Sequence, residues 1–220
     1  MTAARWAIGL TALLLGACAT TPQTPDQLYA EGVEDVHAGS AFARVFRDCA
    51  TAGQRLKQFV TQNPFDRRAP DAQVRLAECY ADEKNWEEAE SAWRTFLALY
   101  PGHKLVPHAL LGQADATWEQ RETLDRDPTK LRNALGVYAR LIREFPESAE
   151  AAEASPRYNE IRDMLAEQNW RVGRYYERQR MPLAAYTRYK ATAEQYRGTP
   201  YGDRAAADMA RLAIEPVALP

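Results

Sequence analysis

The stretch AESAWRTFLALYP, residues 89–101, contains the pattern that decides the fold. Its small, bulky and aromatic residues recur at steps of three and four, which places them on one face of a helix, and the final proline ends that helix. The stretch ALGVYARLIREFP, residues 134–146, repeats the pattern, and weaker copies lie at 52–64 and 185–197. The matching positions are Ala89, Trp93, Phe96 and Tyr100; Ala134, Tyr138, Leu141 and Phe145; Ala185, Tyr189, Thr192 and Tyr196; and Ala52, Leu56, Phe59 and Asn63. Such internal similarity predicts stacked helical repeats.

A partner helix with a small residue is expected before these copies. Ala77 and Gly173 lie at identical offsets from the alanines that open the following copies, Ala89 and Ala185. Gly112 fits the same position, although its second helix follows about ten residues later than in the other repeats. These offsets resemble the tetratricopeptide repeat, in which a small residue of the first helix receives a bulky residue from the second.

The sequence therefore predicts an all-α protein, a tetratricopeptide-repeat-like helical solenoid of four repeats plus a final helix. The repeats are expected at 26–64, 68–101, 105–146 and 149–197, and the final helix at 200–213. Ser155-Pro156 is expected to start or kink the long first helix of repeat four, because a residue before proline avoids the α conformation. An irregular helical bundle with coincidental periodicity is the alternative.

Composition excludes some classes of function. The chain has 220 residues, 46% of them apolar, which is sufficient for a core. Lysine plus arginine number 28 against 30 aspartates plus glutamates, so there is no basic surplus to bind nucleic acid. No Gly-rich phosphate loop, CxxC pair or Ser–His–Asp order appears, and His37, His103 and His108 lack the spacing of a metal site. We expect no enzyme activity, no cofactor and no metal.

The N-terminal region has the pattern of an export signal. Arg5 precedes an apolar run over residues 6–15, which is too short to span a membrane as a helix. The run ends in Leu15-Gly16-Ala17-Cys18, which resembles a lipoprotein lipobox and predicts cleavage before a lipidated Cys18. An ordinary signal peptide with a chance cysteine is the alternative. The residue after Cys18 is Ala19. An aspartate at this position would favour retention at the inner membrane, so the alanine favours the outer membrane.

This pattern divides the chain into four parts. Residues 1–17 are expected to be a signal peptide and 18–25 the lipidated cysteine with its tether. Residues 26–213 are expected to form the repeat domain, and 214–220 a C-terminal tail.

Two further stretches carry a specific resemblance. They are LDRDPT, residues 124–129, and LAEQNW, residues 165–170, the latter followed by RYYER at 174–178. Together with the repeat residues around them they resemble the BamD family of lipoproteins, which serve the machinery that assembles β-barrels into bacterial outer membranes. The resemblance runs from Cys18 to about Leu212 and is strongest over 124–200.

The resemblance implies the partners. In the family, C-terminal repeats dock on the periplasmic domain of the barrel-forming subunit, and N-terminal repeats are implicated in receiving unfolded β-barrel substrates. This sequence departs from the family, because it shows four repeats and the first helix of a fifth, and because its first repeat has extra residues between Gly39 and Pro64. The incomplete fifth repeat concerns the expected docking on the barrel-forming subunit. The altered first repeat concerns the expected role in receiving unfolded substrates.

Cys49 and Cys79 allow two interpretations. They lie on helices expected to be neighbours, and an oxidising periplasm would let a disulfide persist between them. Two buried free thiols on apolar faces are the alternative.

The three histidines are expected to be surface residues.

Two sets of residues are candidates for partner binding. Arg126 lies just before a predicted helix, and the functional interpretation is that it is exposed to a partner. The alternative is structural: Asp127 is placed to cap this helix, and Pro128 suits its first turn. The other set is an aromatic–basic helix surface, of residue types enriched at interaction hot spots. Its members are Arg171, Arg174, Tyr175 and Arg178. Solvated arginines over core tyrosines are the alternative.

We therefore expect a lipid-anchored protein on the periplasmic face of the outer membrane that supports β-barrel assembly by binding proteins. The alternatives are another repeat-containing envelope lipoprotein, such as a pilus-secretin pilotin or a cell-envelope coordinator, or a cell-wall lytic enzyme with a helical superstructure.

Overall fold

The architecture is a series of helices. The computed structural model describes residues 23–37, 49–121 and 127–214. No strand occurs within these ranges. The helices are α1 (Pro25–His37), α2 (Cys49–Gln62), α3 (Ala69–Asp82), α4 (Trp86–Leu99), α5 (Val106–Glu119), α6 (Thr129–Glu144), α7 (Ala149–Arg178), α8 (Pro182–Gln195) and α9 (Pro200–Ile214).

The helices stack as a solenoid. Each helix packs against the next along the chain, and α5 also contacts α3 and α7. The first helices of successive repeats therefore lie side by side. The predicted all-α fold, with four helix pairs and a final helix, is confirmed in the described part of the chain.

The helix ends follow from the recurring sequence pattern. α4 and α6 both end before an aromatic–proline pair, where the amides of Tyr100 and Phe145 still donate to the carbonyls of Phe96 and Leu141 at 2.8 and 2.9 Å. The following proline cannot continue the helix. α6 begins after Asp127, whose carboxylate accepts a hydrogen bond from the Thr129 amide at 2.9 Å.

The turns of repeats two and four are built alike. Lys84 and Arg180 have φ of 60° and 58°, in the left-handed region. The next amide, of Asn85 or Met181, donates back to the carbonyl five residues earlier. This is the hydrogen-bond pattern of a Schellman motif, and its recurrence at equivalent positions supports the repeat alignment.

The bulky residues of the recurring pattern fill the interior. The central core joins repeats two, three and four around Trp93, Phe96, Tyr138 and Leu141, all at most 2% exposed. A smaller cluster joins α1, α2 and α3, and a third joins α8 and α9. The core thus forms between neighbouring helices along the whole array, as expected for a repeat protein.

Two details of the helix pairs differ from expectation. α7 begins at Ala149, where the Ser148 hydroxyl accepts from the Ala151 amide at 3.1 Å. Of the two alternatives expected of Ser155-Pro156, the helix start is therefore wrong; Pro156 lies inside the helix, and a kink there stays a prediction. Ser148 provides the stronger start signal, because its hydroxyl satisfies an end amide. Gly112 packs against Trp93 of the preceding repeat, and not against the second helix of its own repeat.

Candidate functional site

The aromatic–basic surface lies on α7. Arg171, Arg174, Tyr175 and Arg178 are separated by steps of three and four, which brings them to one helix face, and all four are exposed. Tyr176, by contrast, packs against the core cluster of α8 and α9. The structure thus brings the four predicted residues together, and their role in partner binding stays a prediction.

Neighbouring side chains hold some of these arginines in place. Arg171 bonds Glu167 at 2.8 Å, one turn earlier. The guanidinium of Arg174 lies 5.2 Å from the centre of the Trp170 ring. Arg178 has no ion pair with any residue in the part of the chain that the structure describes. Arg178 and the Tyr175 ring, which is 52% exposed and lies edge-on to Tyr176, are both accessible to a partner.

Exposed apolar side chains follow α7 in sequence, at Met181 in the turn and at Leu183 in the first turn of α8. Met181 is 50% and Leu183 is 73% exposed. We call Tyr175, Arg178, Met181 and Leu183 the α7–α8 corner. The sequence analysis missed Met181 and Leu183, although an apolar residue such as Met181 at a turn, where polar residues are usual, would have been a signal. Exposed apolar side chains beside arginine are typical of a protein-binding surface.

A hydrogen-bonded group holds the helices beneath this surface together. The Tyr189 hydroxyl donates to Glu177 at 2.8 Å, and Arg211 donates to the other oxygen of Glu177 at 2.7 Å. Burial and the carboxylate of Glu177 raise the pKa of Tyr189, so its hydroxyl stays protonated and available as a donor. The group joins α7, α8 and α9.

A concave groove of about 650 Å³ is the second candidate site. α3, α5 and α7 line it, with Trp86 and Trp93 contributed by α4. Its charged residues are mostly acidic: Glu78, Asp82, Asp115, Glu119, Glu153 and Glu160 face Arg157. Burial raises the pKa of Asp115, whose carboxylate accepts a hydrogen bond from the Tyr138 hydroxyl. The sequence analysis did not identify this groove, because its acids are spread over three helices that only the fold brings together.

His103 and His108 are partly exposed, and the side chain of His108, which lines this groove, is 38% exposed, in keeping with the expectation of surface histidines. His108 bonds Glu78 at 3.1 Å and lies edge-on to the Trp93 ring. The hydrogen bond to Glu78 raises the pKa of His108. His103 packs edge-on to Phe96. In residues 23–37, 49–121 and 127–214 no cluster of three or more histidine, cysteine or acidic residues is arranged to hold a metal ion.

Cys49 and Cys79 lie where α2 meets α3. Both are buried, their Cα atoms are 5.2 Å apart, and the structure joins their sulfur atoms. That separation is within the range of protein disulfides. The two other singled-out residues, Cys18 and Arg126, lie outside the described residues, as does the side chain of His37.

None of the described helices has both the length and the apolar character needed to cross a membrane.

The fold and the two surfaces define an α-helical repeat protein of the tetratricopeptide type. A family model described as "YfiO: Outer membrane lipoprotein" matches residues 22–213, and the chain belongs to this family.

Similar proteins carry one common name, outer membrane protein assembly factor BamD. The protein of Neisseria gonorrhoeae is 26% identical over 210 residues, covering 86% of this chain and 76% of the relative. That of Vibrio cholerae is 24% identical over 207 residues, covering 87% and 83%. That of Caulobacter vibrioides is 24% identical over 200 residues, covering 89% and 66%. Among solved structures, a thermophilic tetratricopeptide-repeat protein of Thermus thermophilus matches with a TM-score of 0.43 and 20% identity, over 85% of this chain and all of the other.

Proposed function

We propose that this chain is a scaffold that assists the assembly and insertion of β-barrel proteins into the outer membrane. The match of the family model over residues 22–213 carries the proposal, since it includes every described helix except the last residue of α9. The similar proteins named as assembly factors support it.

The proposed mechanism is binding without catalysis. Its partners are the barrel-forming subunit of the assembly machinery and unfolded β-barrel substrates. A repeat array suits this task, because stacked helix pairs offer long surfaces to extended partners. We assign no reaction to the chain.

The proposed location is the periplasmic face of the outer membrane. Cleavage after residue 17 would leave Cys18 to carry the lipid, and residues 18–25 would tether the repeat domain of 26–213, with 214–220 as a tail. The tether is polar and contains Pro22 and Pro25. Its seven residues after Cys18 reach at most about 25 Å, so the repeats would work close to the membrane surface.

The α7–α8 corner is the proposed contact with the barrel-forming subunit. It combines the open arginine of the helix face with three exposed apolar side chains. Arg126 precedes α6 in the segment that resembles the family and is proposed as a further contact.

Affinity purification of the chain from its own membranes tests these partners. We expect the lipidated protein to recover a barrel-forming subunit with tandem periplasmic domains. The matched control is Cys18→Ala, which should accumulate as unprocessed precursor and recover far less of that subunit. Recovery of a pilus secretin instead would contradict the proposal and favour a pilotin.

A further inference from the structure

The concave groove crosses three repeats without a break. It is formed where α5 contacts both α3 and α7, so residues from repeats two, three and four face a common space. Packed helices lie about 8–10 Å apart, so three of them span about 20 Å, the length of about six extended residues. The groove therefore has the dimensions for a short extended segment.

The groove wall combines aromatic rings with negative charge. Trp93 and Trp118 are nearly buried, and Trp86 is half-buried. Six carboxylates face the same space as the guanidinium of Arg157 and the imidazole of His108, and Arg121 adds a second guanidinium beside Trp118. This excess of negative charge repels phosphates and attracts cations.

The chain itself shows how this wall accommodates a cation. Arg157 bonds Glu160 at 2.8 Å while its guanidinium lies 4.7 Å from the centre of the Trp118 ring. Arg121 lies 3.9 Å from the centre of the same ring. A tryptophan face beside a carboxylate thus already holds guanidinium groups here, an arrangement that is favourable because the ring face is negative.

We propose that this groove binds an extended segment of a partner protein in which lysine or arginine side chains alternate with apolar ones. The cations pair with the carboxylates of α5 and α7, and the apolar side chains contact Trp86, the most exposed of the three tryptophans. The inference rests on the proposed function only in taking a polypeptide as the occupant; the preference for positive charge follows from the groove's own residues.

Peptide binding by the detergent-solubilised full chain tests the inference. The probe is a fluorescein-labelled octapeptide of alternating lysine and leucine, followed by fluorescence anisotropy. A second octapeptide replaces every lysine by glutamate. We expect saturable binding of the lysine peptide, weakened by added salt because exposed charge pairs are screened, and no binding of the glutamate peptide.

Two double variants place the binding in the groove. Glu119→Gln with Glu153→Gln removes two exposed carboxylates from the groove, and Glu87→Gln with Glu147→Gln removes two exposed carboxylates elsewhere. We expect the first pair to raise the Kd about three- to tenfold and the second to leave it nearly unchanged. Thermal unfolding midpoints of both variants that match the wild type show that the fold is intact.

Three results would overturn the inference. They are equal binding of both octapeptides, equal effects of the two double variants, and displacement of the peptide by spermidine at equal concentration, which would indicate a site for small cations. The readout is the peptide affinity of the isolated chain, so these results would not contradict the proposed role in assembly. Conversely, failure of the assembly proposal would not contradict the peptide site.

Discussion

The ring of Tyr189 occupies the space that a side chain on Gly173 would need. A Cβ added at Gly173 would lie 2.5 Å from Cε1 of Tyr189, closer than such atoms approach in proteins. Tyr189 is fully buried and its hydroxyl is fixed by Glu177, so the ring cannot simply turn away. The close approach of α7 and α8 therefore depends on glycine at this position.

Gly173→Leu should lower the free energy of unfolding by about 1–3 kcal/mol, because overpacking a tight helix contact displaces the neighbouring side chain. Chemical denaturation of the variant and the wild type measures this. Gly136→Ala is the control, since Gly136 is exposed on α6 and an added Cβ meets no atom within 4 Å. That change should stabilise by about 0.5–1 kcal/mol, as alanine favours helix. An unchanged unfolding midpoint for Gly173→Leu would show that the contact is not tight.

The repeat pattern and the role of Gly173 were predictable because the steps between alanine, aromatic residue and proline are local in sequence. The partner of Gly112 was not, because Trp93 reaches it from the preceding repeat. Gly32, whose added Cβ would lie 2.9 Å from Leu56, shows that repeat one has the same close approach, which the sequence analysis missed.

The surfaces were harder to predict than the fold. Spacing on one helix was sufficient to group Arg171, Arg174, Tyr175 and Arg178. Leu183 lies beyond the turn, and its exposure depends on how α8 packs. The acids of the groove come from three helices that are distant in sequence, so no local pattern connects them.

Cys49 and Cys79 should form a disulfide in the exported protein. Replacing both by alanine should lower the free energy of unfolding by about 2–4 kcal/mol, because a closed loop restricts the unfolded chain. The wild type unfolded in the presence of a reducing agent is the control and should match the variant. Alkylation of the denatured, unreduced wild type provides the second measurement. If both cysteines are modified there, the disulfide is absent.

His108 should stabilise the fold more at low pH than at high pH. The hydrogen bond to Glu78 raises the pKa of His108 above its ordinary 6.5, so the folded state binds the proton more tightly than the unfolded state. The stabilisation is complete below the ordinary pKa and is lost as pH rises through the folded-state pKa. The stability difference between wild type and His108→Gln should therefore be larger at about pH 5.5 than at about pH 8.5.

Imidazole NMR titration measures the pKa directly. Glu78→Gln is the matched variant and should lower the pKa of His108, since it removes the carboxylate partner. A titration midpoint of His108 below 6.5 in the wild type would contradict this account of the pair.

The α7–α8 corner should affect binding without affecting stability. Tyr175→Ala with Leu183→Ser should reduce co-purification of the barrel-forming subunit at least about threefold, because tyrosine is enriched at interaction hot spots and both changes remove apolar contact area. The free energy of unfolding should change by at most about 1 kcal/mol, because Leu183 is largely exposed and Tyr175 is about half exposed. Phe65→Ser, at the fully exposed Phe65 of the α2–α3 turn, is the control and should leave recovery unchanged. If the wild type, the double variant and Phe65→Ser recover equal amounts of the subunit, the α7–α8 corner is not the contact.

Quantitative proteomics of outer membranes after depletion of this chain tests the central claim most directly. A scaffold for assembly serves a whole class of clients, so its loss should lower many outer-membrane β-barrels together while outer-membrane lipoproteins keep their levels. A pilotin serves one secretin. If general β-barrels stay unchanged and a single secretin falls, the assembly function proposed for this repeat protein is wrong.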